Sequence, residues 1–139
     1  MKPLFKIIAA LALTVAAFGA CAQDKVVYHI DSGIAQATKG LRNIRNHLDV
    51  DPQAKIIAVA HAEGVDFLLE GAKTTNGQEF AALVGDLAAR GVVFEICEIT
   101  LKSRNLKKEQ FILGPGFTPS GVVRIANLQA REQYAYIKP

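Results

Sequence analysis

Three short runs rich in β-branched and aromatic residues alternate along this chain with stretches whose apolar residues recur at helical spacing. That alternation limits the fold more than any other feature. The runs are KVVYHI (Lys25–Ile30), AKIIAVAH (54–61) and VVFEIC (92–97). After the first, Ile34, Ala37, Leu41, Ile44 and Leu48 form one stripe, with Lys39, Arg42, Asn43 and Asn46 off it. The spacing predicts an amphipathic helix ending near Asp49, before Pro52 breaks the chain. After the second run, VDFLLEG reads as a short helix stopped at Gly71, and KTTNGQ as a polar turn. Phe80, Leu83, Val84, Leu87 and Ala88 then give a second clean helical face, ended by Gly91.

The remainder continues the pattern. A short helix is expected from Glu98 to Asn105, and a fourth strand in EQFILG. GPGF reads as a loop, and Thr118-Pro119 as a helix start with proline in the first turn. The helix is expected to run through Gln129 with Val122, Ile125 and Ala126 inward, and YAYIK to close the chain as a last strand. Strands alternating with helices predict an α/β fold: three layers, with a mostly parallel sheet of about five strands flanked by helices. AKIIAVAH is apolar on both faces, which places it at the centre of the sheet.

A length of 139 residues with half of them hydrophobic suits one globular domain. The net charge is +3, but Lys2 and Lys6 belong to a distinctive N-terminal segment. Without them 14 basic residues face 13 acidic ones. No basic run exceeds Lys107-Lys108, so nothing provides a phosphate-tracking patch and no nucleic-acid partner is expected.

The N-terminal segment has the layout of an export signal. Two lysines precede Ile7 to Phe18, an uncharged run of 12 residues. That run is shorter than the roughly 20 residues a membrane-spanning helix needs. Small residues follow, and Ala20-Cys21-Ala22 fits a cleavage site before Gln23. The expected organisation is a signal peptide over residues 1–22 and a domain over 23–139, giving a periplasmic protein. The alternative is a lipoprotein signal ending before Cys21, with Cys21 acylated and the protein anchored to the envelope. Contact with membrane is expected only in that case.

In a parallel sheet all strands end on one edge, where ligands and chemistry gather. Here the first strand runs into His29-Ile30-Asp31-Ser32-Gly33, the second into His61-Ala62-Glu63-Gly64, and the third into Cys97-Glu98. With Cys21 removed or acylated, Cys97 has no cysteine to pair with inside the chain. It reads as a buried inert residue, an intersubunit disulfide partner, or a reactive thiol where a strand hands over to a helix. Backbone N–H groups at a helix start lower a thiol pKa, while the carboxylates of Glu95 and Glu98 oppose that effect. The sign of the sum is open at this level. His61 offers a proton or a positive charge at the same edge, or is a hydrogen-bonded loop residue. The chain has no Walker loop, no G-x-G-x-x-G and no C-x-x-C. His29, His47 and His61 lack zinc-site spacing, and Ser32 and Ser120 lack a nucleophile-elbow context. No metal or organic cofactor is expected.

Three segments taken together carry a resemblance: LRNIRNHLDVDPQAKIIAVAHAEGVDFLLEGA, LAARGVVFEICEITL and PSGVVRIANLQAREQYAYIKP. In order, they resemble the DsrE/DsrF-like family, and its exported single-domain branch most closely. The cysteine after the third strand, the Pro-Ser-Gly helix start and the Tyr-Ile-Lys-Pro end are the marks. The resemblance implies a parallel-rich five-stranded sheet and a homo-oligomer, commonly a trimer or hexamer. It also implies sulfur handling: Cys97 would hold a persulfide and relay sulfane sulfur between donor and acceptor proteins as a sulfurtransferase-like carrier. His61 is implied more weakly, as a residue lining the same edge. The alternative function is a non-catalytic oligomeric binding module in which Cys97 is buried and inert.

Overall fold

The computed structural model describes residues 23–139, so the expected signal peptide and Cys21 lie outside the described residues. The described chain runs β1 (Lys25–Ile30), α1 (Gly33–Val50), β2 (Lys55–Ala60), a 3-10 segment (Ala62–Leu68) and α2 (Phe80–Ala89). It continues with β3 (Val93–Cys97), α3 (Glu98–Ser103), a 3-10 turn (Lys108–Gln110), β4 (Gly116–Thr118), α4 (Gly121–Glu132) and β5 (Ala135–Ile137). The five strands form one sheet in the order β4-β3-β2-β1-β5, and every pairing is parallel. Among the described residues no helix is long and apolar enough to cross a membrane.

The strand order explains the layering. From β1 to β4 each new strand is added on the same side of the last. Right-handed crossovers then put the intervening segments on one face of the sheet. The step from β4 to β5 runs the opposite way across three strands, so the same handedness puts α4 on the other face. The packing agrees. Val26, Tyr28, Ile30, Ile56, Ala58, Ala60, Phe94 and Ile96 point into a large core with α1 and α2 residues such as Leu41, Ile44, Leu48, Phe80 and Leu87. The alternate residues Val27, Ile57 and Val59 point the other way and meet Ile125 and Leu128 of α4. β2 is buried on both faces at the sheet centre, as its apolar run predicts. Each fully buried side chain of the Phe67 or Ile44 kind stabilises by about 1.5–3 kcal/mol.

Four local expectations are corrected. EQFILG is not a strand: Lys108–Gln110 make a 3-10 turn and Phe111 forms a single antiparallel bridge with Leu69. β4 instead occupies Gly116–Thr118, in the stretch read as a loop, and is a three-residue edge strand too short to show periodicity. The helix expected in VDFLLEG is a 3-10 segment that begins earlier, at Ala62. The start of α4 is Ser120 and not Thr118-Pro119: the Ser120 hydroxyl accepts a bond from the Val123 N–H at 3.4 Å. With that start, the inward stripe is Gly121, Ile125 and Leu128, whereas Val122 and Ala126 face outward.

The 3-10 segment begins tight against the end of β1. A Cβ added to Gly64 would lie 2.0 Å from the Ile30 carbonyl oxygen. Only a glycine lets the two backbones meet there. The contact fixes the His61 turn against β1, and the His61 N–H donates to the same Ile30 carbonyl at 3.1 Å.

Candidate functional site at the carboxyl edge of the sheet

His29 and Cys97 lie on the α4 side of the sheet, and the pleat puts Asp31 and His61 in line with them just past the ends of β1 and β2. Ala60 pairs with Ile96, so the next residues on those two strands, His61 and Cys97, are level. Gly121, the first residue of α4, covers both. A Cβ there would lie 3.2 Å from Cys97 Cβ and 3.2 Å from His61 Cβ. The fold thus brings together the two residues that the sequence singled out.

Cys97 is the last residue of β3 and caps α3, as expected, yet it is only 4% exposed. Its surroundings are not simply apolar. Burial alone raises the thiol pKa, but backbone N–H groups of Gly121, Thr100 and Ile99 and the Thr100 hydroxyl outweigh burial and hold it below the ordinary value. The Thr100 oxygen already accepts from the Ala62 N–H at 2.9 Å, which leaves its own proton free for the sulfur. The two carboxylates expected to oppose the thiolate are occupied elsewhere. Arg124 of α4 holds Glu95 through two bonds, at 2.8 and 3.1 Å. Lys108 pairs with Glu98 at 2.5 Å. The direction left open by sequence is thus downward, set by donors at the start of α3 and by Gly121 of α4.

The Thr100 donation can be tested directly. Thr100→Val is expected to raise the Cys97 pKa and slow alkylation near neutral pH, with Thr100→Ser restoring both. It also strands the Ala62 N–H, at a cost of about 1–3 kcal/mol. The pH profile of iodoacetamide modification, with a thermal melt alongside, checks both effects. A valine variant with an unchanged profile would remove the hydroxyl from the account.

The His61 turn is held in an unusual conformation. Ala62 has φ of 49°, a left-handed geometry rare for a residue with a side chain. Arg104 braces it, donating to the Ala62 carbonyl at 3.0 Å and to Asp66 at 2.7 Å. His61 reaches across to β1, where its Nε2 lies 2.6 Å from His29 Nε2. The ring centroids are 4.7 Å apart, farther than the nitrogens by about two ring radii, so the rings meet edge to edge. His29 Nδ1 lies 2.6 Å from the Tyr136 hydroxyl of β5. Burial first, and then the neighbouring His61, lower the His29 pKa. Spacing in the sequence gave no sign of the His29–His61 pairing, although both residues stood at predicted strand ends. His47 is elsewhere, against Tyr28 at 3.2 Å.

Asp31 ties this edge to the chain terminus. Its Oδ2 accepts from Lys138 at 2.6 Å, and its Oδ1 from Ser32 and Gln36. Burial pushes its pKa up, but these bonds, led by that of Lys138, bring it down to about 2 from 3.8. A carboxyl depressed on folding stabilises fully above its unfolded pKa and loses that contribution as pH falls through the folded value. Stability is therefore expected to drop between about pH 4 and pH 2. Lys138→Met should shrink that drop, by letting the Asp31 pKa rise toward its ordinary value. Chemical denaturation at a series of acid pH values reads the slope, and equal slopes in the two proteins would count against the clasp.

A family model described as the DsrE/DsrF-like family matches residues 6–139. The chain belongs to the DsrE/DsrF-like family. Among solved structures it is similar to MTH1491 from Methanobacterium thermoautotrophicum, a protein of unknown function, at 29% identity and a TM-score of 0.74. That match covers 84% of this chain and 100% of the other. The YchN protein from E. coli shares the fold at 15% identity and a TM-score of 0.68, over 84% of this chain and 99% of YchN. No curated protein matches. Family and fold thus agree with the sequence reading, including the parallel five-stranded sheet.

Proposed function

We propose that this DsrE-family chain is a sulfur carrier, sulfurtransferase-like in its chemistry, that holds sulfane sulfur as a persulfide on Cys97. The observation that carries the reading is the place of Cys97, which ends β3, caps α3 and lies under Gly121 at the start of α4; N–H groups there and the Thr100 hydroxyl lower its pKa despite burial. The same donors would stabilise a persulfide anion. Family membership supports a role in sulfur relay.

The step balances without a redox co-reactant. The Cys97 thiolate attacks the outer sulfur of a donor persulfide, R–S–SH. The donor S–S bond breaks, a new S–S bond forms on Cys97, and the electron pair leaves on the donor thiolate R–S⁻ with the proton retained by the transferred sulfur. An acceptor thiolate then takes the outer sulfur and returns Cys97 to its starting state. His61, level with Cys97 under Gly121, takes the thiol proton and exchanges it with His29. Three exposed apolar residues lie close in sequence to Cys97 or to the Gly121 that covers it: Ile99, two residues after Cys97, and Val122 and Val123, which follow Gly121. They suit docking of a protein donor, an acceptor or a further copy of the chain. The proposed setting is the periplasm, after removal of residues 1–22. Acylation of Cys21 would instead anchor the protein to the envelope.

The test is intact-mass analysis of the native protein after exposure to polysulfide, with a parallel native alkylation. One added sulfur mapped to Cys97 is the expected result. A thiol that resists both reagents in the folded state overturns the carrier reading. It favours the binding module, for which the 4% exposure of Cys97 is the supporting observation.

A further inference from the structure

The carrier reading uses His61 and His29 for a proton and leaves Asp31, and the geometry of the three together, unused. We infer that His29 Nε2, His61 Nε2 and the Asp31 carboxylate form a binding site for a borderline divalent transition metal, of the zinc or copper class. One donor atom from each of the three lies within 4.8 Å of the others. His29 Nε2 and His61 Nε2 are 2.6 Å apart, and His29 Nε2 is 3.8 Å from Asp31 Oδ2. Bonds of about 2.0–2.1 Å at tetrahedral angles put ligand atoms roughly 3.3 Å apart. The two measured edges fall on either side of that value. Small side-chain rotations open one edge and close the other, without moving the strands.

The ring orientations leave room for a metal in place of a shared proton. Two Nε2 atoms facing each other edge to edge hold either one proton or one cation between them. Tyr136 lies on the far side of His29, with its hydroxyl 2.6 Å from Nδ1. With Nδ1–H donating to that oxygen, the Nε2 lone pair of His29 is turned toward His61. A partner on the outer ring nitrogen of this kind is what orients a metal-bound histidine. Two imidazoles and one carboxylate favour a zinc- or copper-class ion over calcium or magnesium, which take oxygen ligands. Three protein ligands leave a fourth position for water or substrate. Lys138 holds Asp31 Oδ2 at 2.6 Å and would be released when the ion takes its place.

His29 and Asp31 come from the end of β1, and His61 from the turn that Gly64 presses against it. The sequence spacing of these residues carries no zinc signature because no single element supplies all three. Asp24, His47 and Asp51 make a second cluster on other parts of the chain, with Asp24 exposed. It supplies an internal control.

The experiment is calorimetric titration of the full chain with zinc alone, after treatment with chelator. One zinc per chain is expected. His29→Ala and His61→Ala should each weaken binding by at least about tenfold, as should Asp31→Asn, while His47→Ala leaves it unchanged. Wild-type imidazole resonances give a reading that needs no variant: zinc should shift those of His29 and His61 and leave His47 in place. Saturable binding should persist in Cys97→Ser, which separates this site from the thiol and from the carrier reading. No saturable binding, loss only in His47→Ala, loss in Cys97→Ser, or unshifted His29 and His61 resonances would each overturn the assignment.

Discussion

Cys97→Ser is expected to abolish sulfur loading while the protein stays folded. A serine hydroxyl keeps the size of the side chain and can accept from the N–H groups that face the sulfur. It does not ionise near neutral pH and cannot open a sulfane S–S bond. The change in stability should therefore be small, within about 1 kcal/mol, because no donor is left without a partner. The measurement pairs intact mass after polysulfide treatment with a thermal melt. The carrier predicts no added sulfur at an unchanged melting temperature. Loading of the serine variant equal to wild type would place the reactive sulfur elsewhere. The rival binding module makes a different demand: ligand affinity survives in Cys97→Ser, and wild-type Cys97 never takes up sulfur.

Gly64→Ala is expected to cost the most stability of any small substitution near the site, about 3 kcal/mol or more. The added methyl would meet Ile30 O at 2.0 Å, Ile30 C at 2.4 Å and Asp31 N at 2.6 Å. All three are backbone atoms, so no side chain can swing aside. Either the 3-10 segment lifts or the end of β1 bends. Both responses break the bond from His61 N–H to the Ile30 carbonyl and pull His61 away from His29. The melting temperature should fall by on the order of 10 °C. Gly85 in α2 is the control, since a Cβ there meets nothing within 4 Å. Gly85→Ala should be neutral or stabilising by up to about 1 kcal/mol. Equal melting temperatures for the two variants would refute the close approach at Gly64.

The parts of the fold that sequence revealed are those whose signal is local. β2 was legible as the central strand because burial on both faces leaves no polar residue in its five buried positions. The stripe of α1 was legible because Ala37, Leu41, Ile44 and Leu48 all reach one core. β4 was missed because three residues that include a glycine carry no period. The outward placement of Val122 was missed because Gly121, which has no side chain to mark it as apolar, takes the inward position against Cys97, His61 and Val59. At the site, the strand ends were legible because parallel strands must all finish on one edge. The edge-to-edge meeting of His29 and His61 was not, since it depends on ring orientation across 32 residues of chain.

From its order of residues alone this chain was committed to alternating strands and helices, to a parallel sheet, and to a thiol where β3 gives way to α3. Hydrophobic period and backbone propensity act over a few neighbours, so a linear reading captures them. Only the folded chain decided the direction in which the pKa of that thiol moves and the company of the histidines. Electrostatics and hydrogen bonds act through space. Arg124 reaches Glu95 across 29 positions, Lys108 reaches Glu98 across 10, and Tyr136 reaches His29 across 107. Distances of that kind are set by how α4 and the 3-10 turn pack on the sheet and by where β5 joins it, and no local pattern encodes them.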